Sequence, residues 1–130
     1  MTFSVALVTP EREIWSGNAN RLVAKTLDGD IGILTGHAPV FGVLAPGSLV
    51  RVLDADGNEV SAAVAAGFLS VADDRVSVLA QQAQLGSEVD VGAVKSELDS
   101  LLEEPGPPGA EEAPGVAYAR ALLRAAGESA

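Results

Sequence analysis

Cysteine is absent from this chain of 130 residues, which excludes a disulfide framework and thiol chemistry and fits a reducing compartment. Histidine, tryptophan, tyrosine and methionine occur once each. A metal site would have to be carboxylate-rich around a single imidazole. Basic side chains are scarce, 8 against 18 acidic, for a formal net charge of −10. That balance disfavours nucleic acid and anionic lipid as direct partners, since both call for basic patches. No apolar run approaches the ~20 residues needed to span a bilayer. Met1-Thr2-Phe3-Ser4 carries no basic region, so no signal peptide is predicted. The expectation is a soluble chain without direct membrane insertion, reaching a membrane only through a partner.

What the chain does have is a dense corner. Asp28 to Gly47, DGDIGILTGHAPVFGVLAPG, holds five glycines, two prolines and the only histidine. Pro39 and Pro46 do not belong in a central strand. Among these glycine and proline breaks lie short apolar pieces, Ile31–Leu34 and Val40–Leu44, read as short strands joined by tight corners, with Thr35-Gly36-His37 as an exposed knuckle. A phosphate loop is excluded, because no Gly-Lys-Ser/Thr closes the stretch and no long helix follows it. His37 on a bend reads as a structural or partner-contacting residue.

Hydrophobic period divides the chain. Strands are predicted at Phe3–Val8, Glu13–Trp15, Asn20–Leu27, Ser48–Leu53, Val60–Ala65, Phe68–Val71 and Arg75–Ala80, which closes the series. Ser16-Gly17 reads as a break. Asp54 to Asn58 reads as a hairpin turn and not a calcium loop, because position twelve is Ala65 and not glutamate. Runs that are apolar at successive positions suit two facing sheets or a face covered by a partner. Trp15 and Phe68 are expected in the core or packed within hairpins. The reading for residues 1–86 is an antiparallel sandwich or barrel.

Residues 87–130 read as a C-terminal helical hairpin. They carry 3 basic and 9 acidic groups, against 5 and 9 in residues 1–86. Ser87 or Asp90 is the expected cap of a first helix with an apolar stripe at Val91, Val94, Leu98, Leu101 and Leu102. Pro105 to Gly109 ends it, and Pro114 can open a second helix through Ala126. That helix is short enough to need a packing partner; otherwise it is a solvated or frayed tail.

No catalytic constellation is present. Gly-x-Ser-x-Gly does not occur, and His37 has no cysteine or evident serine partner. A free-standing ligand-binding sandwich would need a polar-lined pocket, whereas the polar residues gather at turns.

Six blocks carry a resemblance. Leu7–Arg12, Ile14–Gly17, Gly29–Pro39, Ala45–Arg51, Ala66–Val71 and Val76–Ala80 are similar, in that order, to the epsilon subunits of F-type ATP synthases. The likeness covers residues 3–86. It implies a mainly β protein, an N-terminal antiparallel β-sandwich of about ten strands and a small helical hairpin. It further implies a non-catalytic central-stalk role in a proton-translocating rotary enzyme, peripheral to the cytoplasmic side of the cell membrane. The implied partners are the gamma subunit, at Thr9, His37 and Gly42, and the c-subunit ring, at Asp30. Through Arg120 and Arg124 the hairpin is expected to meet the catalytic alpha and beta subunits and restrain ATP hydrolysis. Some members bind ATP through Ile/Leu-Asp-x-x-Arg-Ala. Here Val89-Asp90-Val91-Gly92-Ala93-Val94 lacks the arginine, so no cofactor is expected.

Overall fold

The computed structural model describes residues 2–102 and 114–127. Nine strands come first: β1 Phe3–Val8, β2 Glu13–Thr26, β3 Gly29–Ile33, β4 Val40–Val43, β5 Ser48–Asp54, β6 Glu59–Val64, β7 Gly67–Ala72, β8 Arg75–Ala80 and β9 Ala83–Leu85. A 3₁₀ turn at Gly86–Glu88 leads to α1, Val91–Leu102, and then α2 spans Pro114–Ala125. The Pro105–Gly109 linker falls outside the described residues.

The strands run in the order β4-β7-β8-β1-β2-β5-β6-β9, with β3 also paired to β2. All pairings are antiparallel except β1 with β8, which is parallel. β2 makes the path into two layers. Its first half pairs with β1, its second half pairs with β3 and β5, and its register to β5 shifts between Ala19 and Arg21. A strand that bends at such an irregularity can serve both layers.

Two features correct the sequence reading. Ser16-Gly17 is no break, because β2 passes straight through it. The Trp15 ring lies over Gly17, where an added Cβ would stand 3.1 Å from it, so glycine there makes room for the indole rather than a turn. β8 does not close the series either, since β9 pairs with β6 through Ala62↔Leu85 to Val64↔Ala83.

The core follows the two-residue period. Phe3, Val5 and Leu7 of β1, Leu22 and Ala24 of β2, Val50 and Val52 of β5, and Val76 and Val78 of β8 are buried between the layers. Asp73 and Asp74 hold positive φ, 51° and 58°, in the two-residue β7–β8 turn. Positive φ at both central residues is what such a hairpin needs to match strand twist. In the β5–β6 turn, Asp54 Oδ1 accepts the backbone N–H groups of Asp56 and Asn58, both at 2.9 Å. That carboxylate is spent on shaping the turn.

β6 is buried on both faces. Ala62 and Val64 join the core, while Ala63 meets Val94, Ala119, Ala121, Leu122 and Leu123 in a second cluster. Asp90, not Ser87, caps α1, its Oδ1 accepting the Ala93 N–H at 3.1 Å. α2 is neither solvated nor frayed over its described length. It packs between α1 and the outer face of β5 and β6, and Val116, Ala119, Ala121, Leu122 and Leu123 are buried. Two glycines seat it: a Cβ at Gly47 would overlap Ala117, and one at Gly86 would overlap the Ala125 backbone.

Candidate docking face

The outer face of the β4-β7-β8-β1 layer carries an exposed apolar row at one end, while Ser4, Ser70, Arg75 and Ser77 occupy outward positions farther along it. Register places Val43 beside Phe68, Phe68 beside Leu79, and Leu79 beside Val8, one row across four strands. Phe41 is 67% exposed, Leu79 51% and Phe68 46%. Phe41 and Phe68 stack with ring centroids 5.5 Å apart and planes at 25°. Phe68 is thus not in the core; it packs on Phe41 of the paired strand at the surface. Below the row lies a groove of about 550 Å³ lined by Val8, Thr9, Leu27, Val43, Phe68 and Leu79, among others.

Local sequence explains the unusual orientation of β4. Gly42 points inward, where a Cβ would come within 3.3 Å of Thr26 Cγ2, so the large neighbours Phe41 and Val43 point out. The strand thus turns its bulk to solvent, which a folding preference alone would not select.

The four expected contact residues are spread around this layer and its neighbour. Thr9 closes the β1–β2 turn. Its N–H donates to the Arg12 carbonyl at 2.9 Å and its Oγ1 donates to the same oxygen at 3.1 Å, so Thr9 shapes the turn while lining the groove. Gly42 sits between Phe41 and Val43. His37 lies beyond the other end of β4 and is half-buried rather than exposed. Its Nδ1 stands 2.6 Å from the Ala38 carbonyl. A carbonyl only accepts, so Nδ1 carries the proton and Nε2 faces away from that bond. The bend is tied down where the Gly36 N–H donates to Asp74 Oδ1 at 2.6 Å. Thr9, Gly42 and His37 therefore border one face without forming a cluster.

Asp30 stands apart, exposed on β3 directly across from Lys25 of β2. Of the tail arginines, Arg124 Nη2 donates to the Gly47 carbonyl at 3.4 Å, and Arg120 is half-buried. Both belong to the docked helix. Burial holds the Tyr118 hydroxyl above its ordinary pKa of 10.0. Among the described residues no group of His, Asp and Glu side chains is arranged to hold a metal, and no helix is long and apolar enough to cross a membrane.

The residues that the resemblance implied lie at the margin of this face, and its exposed apolar side chains were not among them. Val40–Leu44 and Phe68–Val71 were legible as apolar runs, yet nothing in a run says which side stays uncovered.

Comparison with known proteins follows the same lines. A family model described as "ATP synthase, Delta/Epsilon chain, beta-sandwich domain" matches residues 2–86. The ATP synthase epsilon chain of Thermobifida fusca is 52% identical over 124 residues, 94% of this chain and 90% of that protein. That of Rhodococcus opacus is 40% identical over 122 residues, 94% of this chain and 93% of that one. Among solved structures, a chain of the Euglena gracilis mitochondrial ATP synthase (OSCP/F1/c-ring, rotational state 1) superposes with a TM-score of 0.71 at 20% identity, covering 94% of this chain and 75% of its own. A chain of the Tetrahymena thermophila mitochondrial ATP synthase central stalk and c-ring gives 0.55 at 18%, covering 95% and 89%. At such identities these two speak for the fold alone.

Proposed function

This chain belongs to the ATP synthase epsilon-chain family, and from that premise we propose that the exposed apolar row on its sheet face seats the gamma subunit while its β3 edge meets the ring of c subunits. It is a non-catalytic subunit of a membrane-bound ATP synthase. In this reading it joins gamma to the ring in the central stalk, peripheral to the membrane on its cytoplasmic side.

The observation that carries the gamma assignment is the row Val43–Phe68–Leu79–Val8 with Phe41 stacked beside it. A contiguous exposed apolar patch on a soluble domain marks an interaction surface. Aromatic anchors flanked by shaped turns lose little entropy on docking. Thr9, Gly42 and His37 border that face and would contact gamma at its margin. Asp30, on a different strand edge and exposed, would meet the polar loops of the ring. Arg120 and Arg124 support a partial inhibitory role that requires α2 to leave the sandwich, since both are held on the docked helix.

Calorimetric titration of the full chain with purified gamma tests the central claim. Phe68→Asp is expected to weaken binding by about 30-fold, the loss of one ~2 kcal/mol anchor. Val23→Asp, on the outer face of the other layer, should leave binding unchanged. Equal affinity for Phe68→Asp and the parent would remove this face from the interface. Asp30→Arg should lower coupled ATP synthesis in the assembled enzyme with gamma affinity intact.

A further inference from the structure

We propose that the concavity between β2, β5 and α2 binds a phosphate-class oxyanion through Lys25, Arg51 and Arg124. It measures about 300 Å³, at the small end of ligand sites and well short of a macromolecular groove. Val23 pairs with Arg51 across β2 and β5, which puts Lys25 diagonal to Arg51 on one outer face. Arg124 arrives from α2, steered to the rim by its bond to the Gly47 carbonyl at 3.4 Å. None of the three is ion-paired among the described residues; the ion pair found there is Arg12–Glu88 at 3.5 Å. One carboxylate, Asp30, also lines the site. Three cations against one anion in one concavity reverse the field of a chain with net charge −10.

Like charges on neighbouring strand positions repel, and a bridging anion relieves that repulsion. A concave wall also focuses the field of the three groups on its mouth. Two guanidinium forks supply paired N–H donors that fit the edge of a tetrahedral oxyanion, and Lys25 adds a point charge. Because Arg124 belongs to α2 while Lys25 and Arg51 belong to the sandwich, the site is complete only with the hairpin docked. The proposal rests on the isolated chain and does not depend on the gamma or ring assignments.

The test is an amide NMR titration of the full chain with inorganic phosphate, at constant ionic strength set by sodium chloride. Saturable shifts confined to Lys25, Gly47 to Arg51 and Arg124 are expected. Arg51→Gln and Arg124→Gln should each weaken binding by about tenfold, equivalent to ~1.4 kcal/mol. Arg21→Gln, on the same face of β2 but outside the concavity, should not. Hydrogen exchange of α2 in Arg124→Gln separates lost binding from lost docking. A parallel titration with a nucleoside triphosphate identifies the source: displacement of phosphate points to a nucleotide's phosphates, and no displacement to free phosphate. Linear shifts equal to those from chloride overturn the site. So does an Arg21→Gln loss as large as that of Arg51→Gln, which would reduce it to long-range charge.

Discussion

Replacing Gly86 by alanine should detach α2 while leaving the sandwich folded. An added Cβ at Gly86 falls inside the backbone of Ala125, and backbone cannot rotate out of the way as a side-chain end can. Gly86 carries no positive φ, so the substitution adds a clash without conformational strain. Relief requires α2 to shift as a body, which forfeits the burial of Leu122 and Leu123 against Ala63. At ~1.5–3 kcal/mol for each fully buried large side chain, complete loss of both is ~3–6 kcal/mol. Two other glycines calibrate the effect. Gly32 has nothing within 4 Å of its hypothetical Cβ and no positive φ, so Gly32→Ala should stay within ~0.5 kcal/mol. Gly57 has open space but φ of +87°, so Gly57→Ala should cost ~1–2 kcal/mol of strain alone. The assay is amide hydrogen exchange over the full chain, read separately for α2 and for β1, β2 and β5. Gly86→Ala should abolish protection in α2 and leave the strands near their parental values. Unchanged α2 protection, or equal loss in helix and strands, would refute the claim that close glycine packing holds the hairpin.

Other outcomes can be checked alongside. His37→Ala should weaken gamma binding while changing stability by no more than ~0.5 kcal/mol in urea melts, because the bond it removes is local and at the surface. Tyr118 makes stability fall in alkali: burial raises its folded pKa, so the contribution is intact below the unfolded value of 10.0 and is lost as pH rises through the folded value. Tyr118→Phe should flatten that limb of a melting-temperature profile. A fragment of residues 1–86 should melt cooperatively and bind gamma, since all nine strands end by Leu85; a fragment that does neither shows that the hairpin is part of the fold. Deleting residues 87–130 should raise ATP hydrolysis by the assembled enzyme several-fold, measured as phosphate release, and unchanged hydrolysis would remove the inhibitory role.

Sequence patterns were most informative where one force acted alone. β1 alternates in and out, and its bounds Phe3–Val8 are the alternating run itself. The Asp-Gly turn after β5 and the Asp73-Asp74 turn announce themselves through backbone chemistry. Legibility failed where a distant group decided. Gly17 looks like a breaker until Trp15 is seen to lie on it. β9 is three residues, too short for any period to show, and exists because the edge of β6 was open. Phe68 looks like core because it is large and apolar, yet strand parity sends Leu69 and Val71 inward and Phe68 outward. Of the residues proposed to contact gamma, Thr9 and His37 sit at bends that sequence could place. The aromatic centre between them emerges only when β4, β7, β8 and β1 are set side by side.

The burial of α2 bears on how the hairpin moves. Sequence alone makes the second helix marginal, in need of something to pack on. The packing supplies that support. α2 is the inner helix, with Val116, Leu122 and Leu123 buried, whereas Val94 is the one buried residue of α1. Departure of α1 uncovers the side of α2 that faces it and the small area around Val94. Departure of α2 uncovers that side as well, together with the side chains on Ala63 and Leu49 of the sheet. α2 has the larger packed area, so α1 separates at lower cost than α2. The cations proposed for inhibition sit on the costlier helix, and Arg124 must also give up the Gly47 carbonyl. If the tail acts in inhibition, its packing predicts release by a competitor for the β5–β6 face or for Arg124.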